Sequence, residues 1–211
     1  MNTEQLQKTL RASQYAEQVL GLHQTALEQD YAIDQFHHAL TTNDIFQRVE
    51  QELKDIQDES QWMRTLRILR AKLMFRWIWQ DANQLTNVIT LTRELSDFAD
   101  ACICAAKQFA LPPLLAKHGE PIGYDGQIQD LIVVGMGKLG AQELNLSSDI
   151  DLIFAFDEQG ETNGRKSIDV QQFCILWGQK LIYLLDHITA DGFVFRVDMR
   201  LRCLLYTSPS P

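Results

Sequence analysis

The chain has 211 residues, which is enough for one large domain or two small ones. A net charge of −9 argues against a protein that grips nucleic acid through a broad basic surface. No apolar run approaches the ~20 residues that cross a bilayer, so we expect no membrane span. The four cysteines have neither metal-finger nor secreted disulfide spacing, which predicts reduced thiols and a cytoplasmic protein.

Residues 1–118 are predicted to be a helical region. Apolar side chains recur there at helical spacing in three stripes, which we interpret as core faces. The stripes run through residues 46–56, 66–77 and 85–102. Pro112 and Pro113 are predicted to end the last helix, because proline cannot continue the hydrogen-bond ladder. Turn residues between 119 and 126 then mark a domain boundary.

The pattern changes after this boundary. Strands are predicted at residues 131–134, 149–156 and 193–202, with an amphipathic helix at 173–188 before the last of them. Strands that alternate with helices after a helical region indicate an α+β architecture. We therefore predict a small sheet domain over residues 126–202.

A glycine-rich turn, GMGKLG, follows the first predicted strand. Gly135 and Gly137 allow the backbone to approach a phosphate, the next helix offers free amide donors, and Lys138 adds a positive charge. This motif alone is a weak indication. It also spells GxGxxG, so a Rossmann-type nucleotide-dependent oxidoreductase has to be considered.

The second strand opens with two aspartates, in SSDIDLIFAF. Residues two apart in a strand point to the same face, so Asp149 and Asp151 present their carboxylates side by side. A divalent cation removes the repulsion between such groups, and magnesium favours carboxylates combined with phosphate oxygens. The plainer interpretation is a strand edge with two solvated aspartates.

The spacing between these two motifs favours one class of nucleotide site over the other. A Rossmann unit needs a crossover helix of normal length and an acidic residue ~20 residues beyond the glycines. Here only eight residues separate Gly140 from Asp149, and the acids lie at the beginning of the strand. A glycine turn, a short helix and a D-x-D strand are the organisation of polymerase-β-like nucleotidyltransferases.

The third predicted strand, FVFRVDMRLR, alternates apolar and charged residues. Its charged face carries Arg196, Asp198, Arg200 and Arg202. We predict that Asp198 is a third metal ligand and that Arg196 and Arg200 bind phosphate oxygens or orient the acids. An arginine–aspartate ladder on an exposed sheet face is the alternative.

Two stretches, LIVVGMGKLGAQELNLSSDIDLIFAF and DGFVFRVDMRLR, resemble the N-terminal half of the bifunctional glutamine synthetase adenylyltransferase/adenylyl-removing enzymes. The resemblance is good over residues 60–202 and loose before them. It implies a magnesium-dependent domain (manganese is possible) that removes AMP from a tyrosine of glutamine synthetase by phosphorolysis, giving ADP. The same family also adenylylates glutamine synthetase with ATP and responds to the PII signal protein.

The resemblance also implies roles for individual residues. Asp149, Asp151 and Asp198 are expected to be catalytic as metal ligands, and Ser148 is expected to join Gly135, Gly137 and Lys138 around the phosphates. A non-catalytic interaction module on the same scaffold stays an alternative. Residues 203–211, CLLYTSPSP, resemble translated sequencing-adapter DNA, so we expect a chain cut after its third acid, with an incomplete sheet domain and little adenylyl-removing activity.

Overall fold

A computed structural model describes residues 2–32 and 36–199 of the chain. The described part contains helices and short strands in the following order: α1 (Thr3–Ala12), α2 (Gln14–Ala32), α3 (Thr42–Leu53), α4 (Glu59–Ala82), α5 (Val88–His118), β1 (Pro121–Gly123), β2 (Ile132–Met136), α6 (Gly137–Gly140), β3 (Ile150–Ala155), β4 (Gly160–Thr162), α7 (Val170–Asp186) and β5 (Val197–Met199). Arg200, Arg202 and the segment 203–211 lie outside the described residues, so the predictions for them stay predictions.

The chain forms two compact units, and each of them is built from several separate segments of the chain. Unit 1 comprises the residues up to Ala101 together with segments 142–148 and 188–194. Unit 2 comprises residues 102–141 and 149–187 and those from Phe195 on. The change from one unit to the other falls inside α5, whereas the sequence placed a domain boundary in the loop 119–126.

Helices dominate unit 1, and their ends follow ordinary capping chemistry. The helix α3 begins with a capping box, in which the Thr41 side chain accepts from the Asp44 amide and the Asp44 carboxylate accepts from the Thr41 amide. The helix α4 is buried on most of its surface, and both Trp77 and Trp79 are fully buried. The predicted stripe at residues 66–77 is therefore a core face, whereas the third stripe begins at the surface, where Leu85, Val88 and Ile89 are exposed.

The helix α4 carries a buried charged side chain, Arg76, which is paired with Glu94 inside unit 1. The guanidinium of Arg76 donates to Glu94 Oε2 at 2.6 Å, and Trp77 Nε1 donates to the same oxygen at 2.7 Å. Glu94 Oε1 accepts from the Leu40 amide at 2.9 Å. Burial lowers the pKa of Arg76, and the carboxylate of Glu94 opposes that shift. The pair is thus hydrogen-bonded as well as charged, which a buried ion pair requires.

The prediction that Pro112 and Pro113 end a helix is wrong, because α5 continues through both prolines to His118. Proline fixes φ near the helical value and removes only its own amide donor, so a helix survives it when packing compensates. Such packing is present one turn earlier, where Ala106 and Ala110 are buried and Trp177 Nε1 donates to the Lys107 carbonyl at 2.8 Å.

The main sheet of unit 2 has the order β2-β3-β5 among the described strands. The strands β2 and β3 are antiparallel, and β3 and β5 are parallel. The helix α7 covers one face of this sheet; its Gly178 leaves room for the ring of Phe154, which a Cβ would approach to 3.0 Å. A second, two-stranded sheet joins β1 and β4.

The strands lie where the sequence predicted them, with shifted ends. The third differs most: it was predicted over residues 193–202, and within the described residues it begins only at Val197. Its partner β3 begins at Ile150, which pairs with Val197, so the preceding residues have no strand beside them. The burial still alternates as predicted, with Phe195 buried and Arg196 and Asp198 exposed.

The architecture is α+β, as the sequence predicted. The antiparallel pairing of β2 with β3 excludes the Rossmann alternative, since that fold joins parallel strands by a crossover helix. The helix between them, α6, is a single turn of four residues. No helix in residues 2–32 and 36–199 is long and apolar enough to cross a membrane.

Candidate active site

The exposed face of the mixed sheet carries the predicted acidic residues. Asp149 and Asp151 are exposed, while Ile150 and Leu152 between and after them are buried. Alternation along β3 therefore sends the two carboxylates to the face opposite the core. In the parallel register Asp151 lies beside Asp198, which is also exposed. The structure thus brings the three predicted acids to one face of two neighbouring strands.

Arg196 contacts the first of these acids. Its Nε donates to Asp149 Oδ1 at 2.6 Å, and the two side chains are 61% and 51% exposed. The backbone supports this placement, because the amide of Ile150 donates to the Arg196 carbonyl at 2.9 Å. Arg196 therefore contacts one of the predicted acids in this structure, and the two roles predicted for it, orienting the acids and binding phosphate, stay predictions.

The glycine turn runs directly past the second acid. Met136, the last residue of β2, pairs with Asp151, and Gly137 follows with φ of +53°. A Cβ on Gly137 would lie 2.8 Å from Asp151 Oδ2, so only glycine leaves the carboxylate where it is. A side chain at this position would enter the space beside the carboxylate.

The other glycines of the motif have packing reasons of their own. A Cβ on Gly135 would meet the Leu139 side chain at 2.9 Å, and one on Gly140 would meet the Gly135 carbonyl oxygen at 2.6 Å. These residues close the turn tightly on itself, and that requirement explains them without a ligand. Close approach to a phosphate therefore stays a prediction for Gly135, and Gly137 is the glycine that touches the candidate site.

Lys138 is exposed on α6. The sequence predicted that the helix after the glycines would offer amide donors to a phosphate. Since α6 has only four residues, it has little of the dipole that a longer helix would supply. The charge of Lys138 is therefore the stronger argument for an anion near this turn.

Ser148 belongs to unit 1, where it is part of a local network. Its Oγ donates to Asn145 Oδ1 at 2.9 Å and accepts from the Asn145 amide at 3.3 Å. The Asn145 carboxamide oxygen also accepts from the Ser147 amide at 3.1 Å. These bonds shape the turn before Asp149, and the predicted phosphate contact of Ser148 stays a prediction.

The donor chemistry of the acidic face suits a magnesium or manganese ion. Carboxylate oxygens are the protein ligands that hard divalent cations prefer, and Gly137 keeps the space beside Asp151 open. Within residues 2–32 and 36–199 no three His, Cys, Asp or Glu side chains are already close enough to share an ion. The carboxylate chemistry suits a cation, but the side chains are not gathered around one position in the structure, where the Asp149 carboxylate is held by Arg196. The metal site therefore stays a prediction.

The sequence reasoning missed the anchoring of the segment between the two motifs. The Leu144 amide donates to Ser96 Oγ at 3.1 Å, and Gln142 Nε2 donates to Asp100 Oδ2 at 3.1 Å, all within unit 1. Burial raises the pKa of Asp100, the bond from Gln142 opposes that shift, and the charge of Asp97 adds to it. Gln142 has φ of +59°, which no local pattern signalled.

Comparisons with known proteins match nearly the whole chain. The model of the glutamate-ammonia ligase adenylyltransferase family matches residues 3–204. The bifunctional glutamine synthetase adenylyltransferase/adenylyl-removing enzyme of Acinetobacter baylyi is 88% identical over 202 residues, covering 96% of this chain and 22% of the relative. Enzymes of the same name from Thioalkalivibrio sulfidiphilus and Hahella chejuensis are 47% and 50% identical, over 77% and 72% of this chain.

The fold and the site define an α+β protein whose sheet presents carboxylates beside a glycine turn. The family match adds the particular class: the chain belongs to the glutamate-ammonia ligase adenylyltransferase family. It spans about a fifth of the length of the curated relatives it matches, 22% in the Acinetobacter baylyi enzyme and 17% in the Thioalkalivibrio sulfidiphilus enzyme.

Proposed function

We propose that unit 2 is a polymerase-β-like nucleotidyltransferase core that uses magnesium, or manganese, to remove AMP from a tyrosine of glutamine synthetase. Inorganic phosphate is the acceptor in this reaction and ADP the product. The observation that carries the proposal is the register of β3 and β5, which sets Asp151 beside Asp198 on an exposed face next to Gly137. The names of the relatives support the choice of substrate.

The acids Asp149, Asp151 and Asp198 would hold the metal, which supplies positive charge to the phosphoryl oxygens in the transition state. Lys138 adds a charge near the glycine turn, where it is exposed and able to reach an anion. Gly137 contributes by absence of a side chain, since a Cβ there would displace the Asp151 carboxylate. In the structure Arg196 holds the Asp149 carboxylate, and it is itself a candidate ligand for phosphate.

The remaining expectations belong to the whole protein. We propose that it acts in the cytoplasm, adenylylates glutamine synthetase with ATP as well as deadenylylating it, and responds to the PII protein. The names of the relatives support both activities on glutamine synthetase. We also propose that the 211-residue chain by itself has little adenylyl-removing activity.

The decisive experiment measures phosphate-dependent ADP formation from adenylylated glutamine synthetase. The full-length protein should release ADP with phosphate and magnesium. Asp151→Asn should reduce the rate by at least about 100-fold, because it removes one negative charge from the proposed metal site and alters the position of the metal. Glu161→Gln, an exposed carboxylate on the other sheet, is the matched control and should leave the rate unchanged. An Asp151→Asn protein with a normal rate would favour the non-catalytic scaffold.

A further inference from the structure

Charges on the exposed face of the mixed sheet follow the strand register. The β3–β5 pairing places Asp151 beside Asp198. Two residues earlier in each of these segments, the bond from the Ile150 amide to the Arg196 carbonyl places Arg196 beside Asp149. The face therefore carries a like-charged pair next to an oppositely charged pair, and Arg196 Nε lies 2.6 Å from Asp149 Oδ1.

This contact engages Oδ1, one of the two carboxylate oxygens through which Asp149 could bind a metal ion. A carboxylate oxygen that accepts a hydrogen bond from a guanidinium at 2.6 Å uses one of its lone pairs for the arginine. A divalent cation that binds Asp149 through Oδ1 has to compete for it. Arg196 and the cation are both positive, so repulsion between them also drives the arginine away once the cation is bound.

We propose that Arg196 is a displaceable counter-ion: it holds Asp149 in the metal-free site and leaves that carboxylate when the metal binds. The inference rests on the proposed function, because it takes the three acids as the metal site. Release of the guanidinium frees a planar, bidentate donor next to the metal, where an anionic phosphate group of the substrate is its natural partner. Metal and phosphate binding would then assist each other through this one side chain.

Exposure of the pair sets the size of the effect. Both side chains are more than half exposed, so solvent screens the ion pair and the metal displaces it at small cost. Arg196→Gln should therefore tighten manganese binding by only about 2- to 5-fold, which corresponds to the usual strength of exposed pairs. The gain should shrink as sodium chloride is added, because salt weakens the wild-type pair first.

The test is a manganese titration of the full-length protein, followed by electron paramagnetic resonance of the free ion. Asp151→Asn defines the share of binding that belongs to this site. Arg165→Gln, another exposed arginine of unit 2, is the control for the loss of a positive charge. Arg196→Lys keeps the charge without the guanidinium fork and should give an intermediate affinity.

The outcomes separate the inference from the function it rests on. If wild type and Asp151→Asn bind manganese equally, the proposed metal site is wrong. If they differ and Arg196→Gln binds no more tightly than wild type and Arg165→Gln, the counter-ion role is overturned. Tighter binding in Arg196→Gln and a smaller gain in Arg196→Lys support it; a loss of folding would not tighten binding, so a merely structural role for Arg196 cannot imitate this result.

Discussion

Asp151 on β3 and Asp198 on β5 are register partners in adjacent parallel strands, and both are exposed on the same face of the sheet. Two like charges directly beside each other in a sheet destabilise the fold. A protein keeps such a pair for a reason other than stability, and binding of a cation is the simplest one. The relationship thus predicts opposite effects of the same substitution with and without metal.

Asp198→Asn should raise the melting temperature of the metal-free protein slightly, by the equivalent of about 0.2–1 kcal/mol, because it removes the repulsion with Asp151. The same substitution should abolish the further rise that magnesium or manganese produces in wild type by ligand linkage. Differential scanning fluorimetry with and without metal measures both effects. Glu161→Gln is the control, and an unchanged metal response in Asp198→Asn would contradict the assignment.

Gly137→Ala tests the approach of the glycine turn to Asp151. Alanine at φ +53° is strained by roughly 1–2 kcal/mol. Its Cβ would lie 2.8 Å from Asp151 Oδ2 and would force that oxygen to move. Gly126→Ala is the matched control: it has φ of +80°, and nothing lies within 4 Å of its Cβ. Both variants should lose similar stability in thermal melts, and only Gly137→Ala should lose metal affinity. Equal metal affinity in the two would show that this glycine serves the turn alone.

The sequence could predict the two acid-bearing strands because their side chains alternate with period two. Asp149 and Asp151 are exposed and Ile150 and Leu152 buried, as the alternation required. The register that pairs Asp151 with Asp198 joins residues far apart in the chain, and no local pattern contains it. The antiparallel pairing of β2 with β3 was unpredicted for the same reason, although the short spacing between their motifs already opposed a crossover.

The errors of prediction also have physical causes. Pro112 and Pro113 remove amide donors, and a local rule ends the helix there, but packing of the preceding turn maintains α5 to His118. The bonds of segment 142–148 to α5 depend on Ser96 and Asp100, which a helical pattern marks only as polar positions. Tertiary contacts decide both cases, and a sequence read alone does not contain them.

Lys138→Ala should weaken phosphate binding by the loss of one exposed charge and leave manganese affinity nearly intact. The reason is position: Lys138 lies on α6 after the glycine turn, while the acids that would hold the metal lie on β3 and β5. Titration calorimetry with inorganic phosphate, in the presence of manganese, measures the first quantity. Lys166→Ala removes another exposed lysine of unit 2 and is the control. The reverse pattern, weaker manganese and normal phosphate binding, would assign Lys138 to the metal site.

Glu94→Ala should be among the most damaging substitutions in unit 1. It removes the partner of Arg76, whose side chain is 3% exposed, and leaves a buried charge. Breaking such a pair costs about 3–5 kcal/mol. Asp130→Ala breaks the more exposed pair with Lys107 and should cost about 1 kcal/mol or less. Urea unfolding of the two variants gives the comparison, and equal losses would mean that solvent reaches the Arg76 pair.

Asp100→Asn should stabilise the protein at neutral pH, with a gain that disappears in acid. Burial raises the pKa of Asp100, helped by the charge of Asp97 and opposed by the hydrogen bond from Gln142. The folded state therefore takes up the proton more readily than the unfolded state, whose aspartate has the ordinary pKa of about 3.9.

The sign of the pH dependence follows from linkage. The stability from protonating Asp100 is complete below the unfolded pKa and is lost as pH rises through the higher folded value. Above that value wild type folds with an ionised, partly buried carboxylate, whereas asparagine is neutral at every pH and still accepts from Gln142. The stability difference from thermal melts should thus favour Asp100→Asn at pH 7 by less than about 1 kcal/mol, because the group is only partly buried, and it should vanish near pH 3. Thermal melts at several pH values measure this difference. A difference independent of pH would show that the charge of Asp100 does not destabilise the folded state.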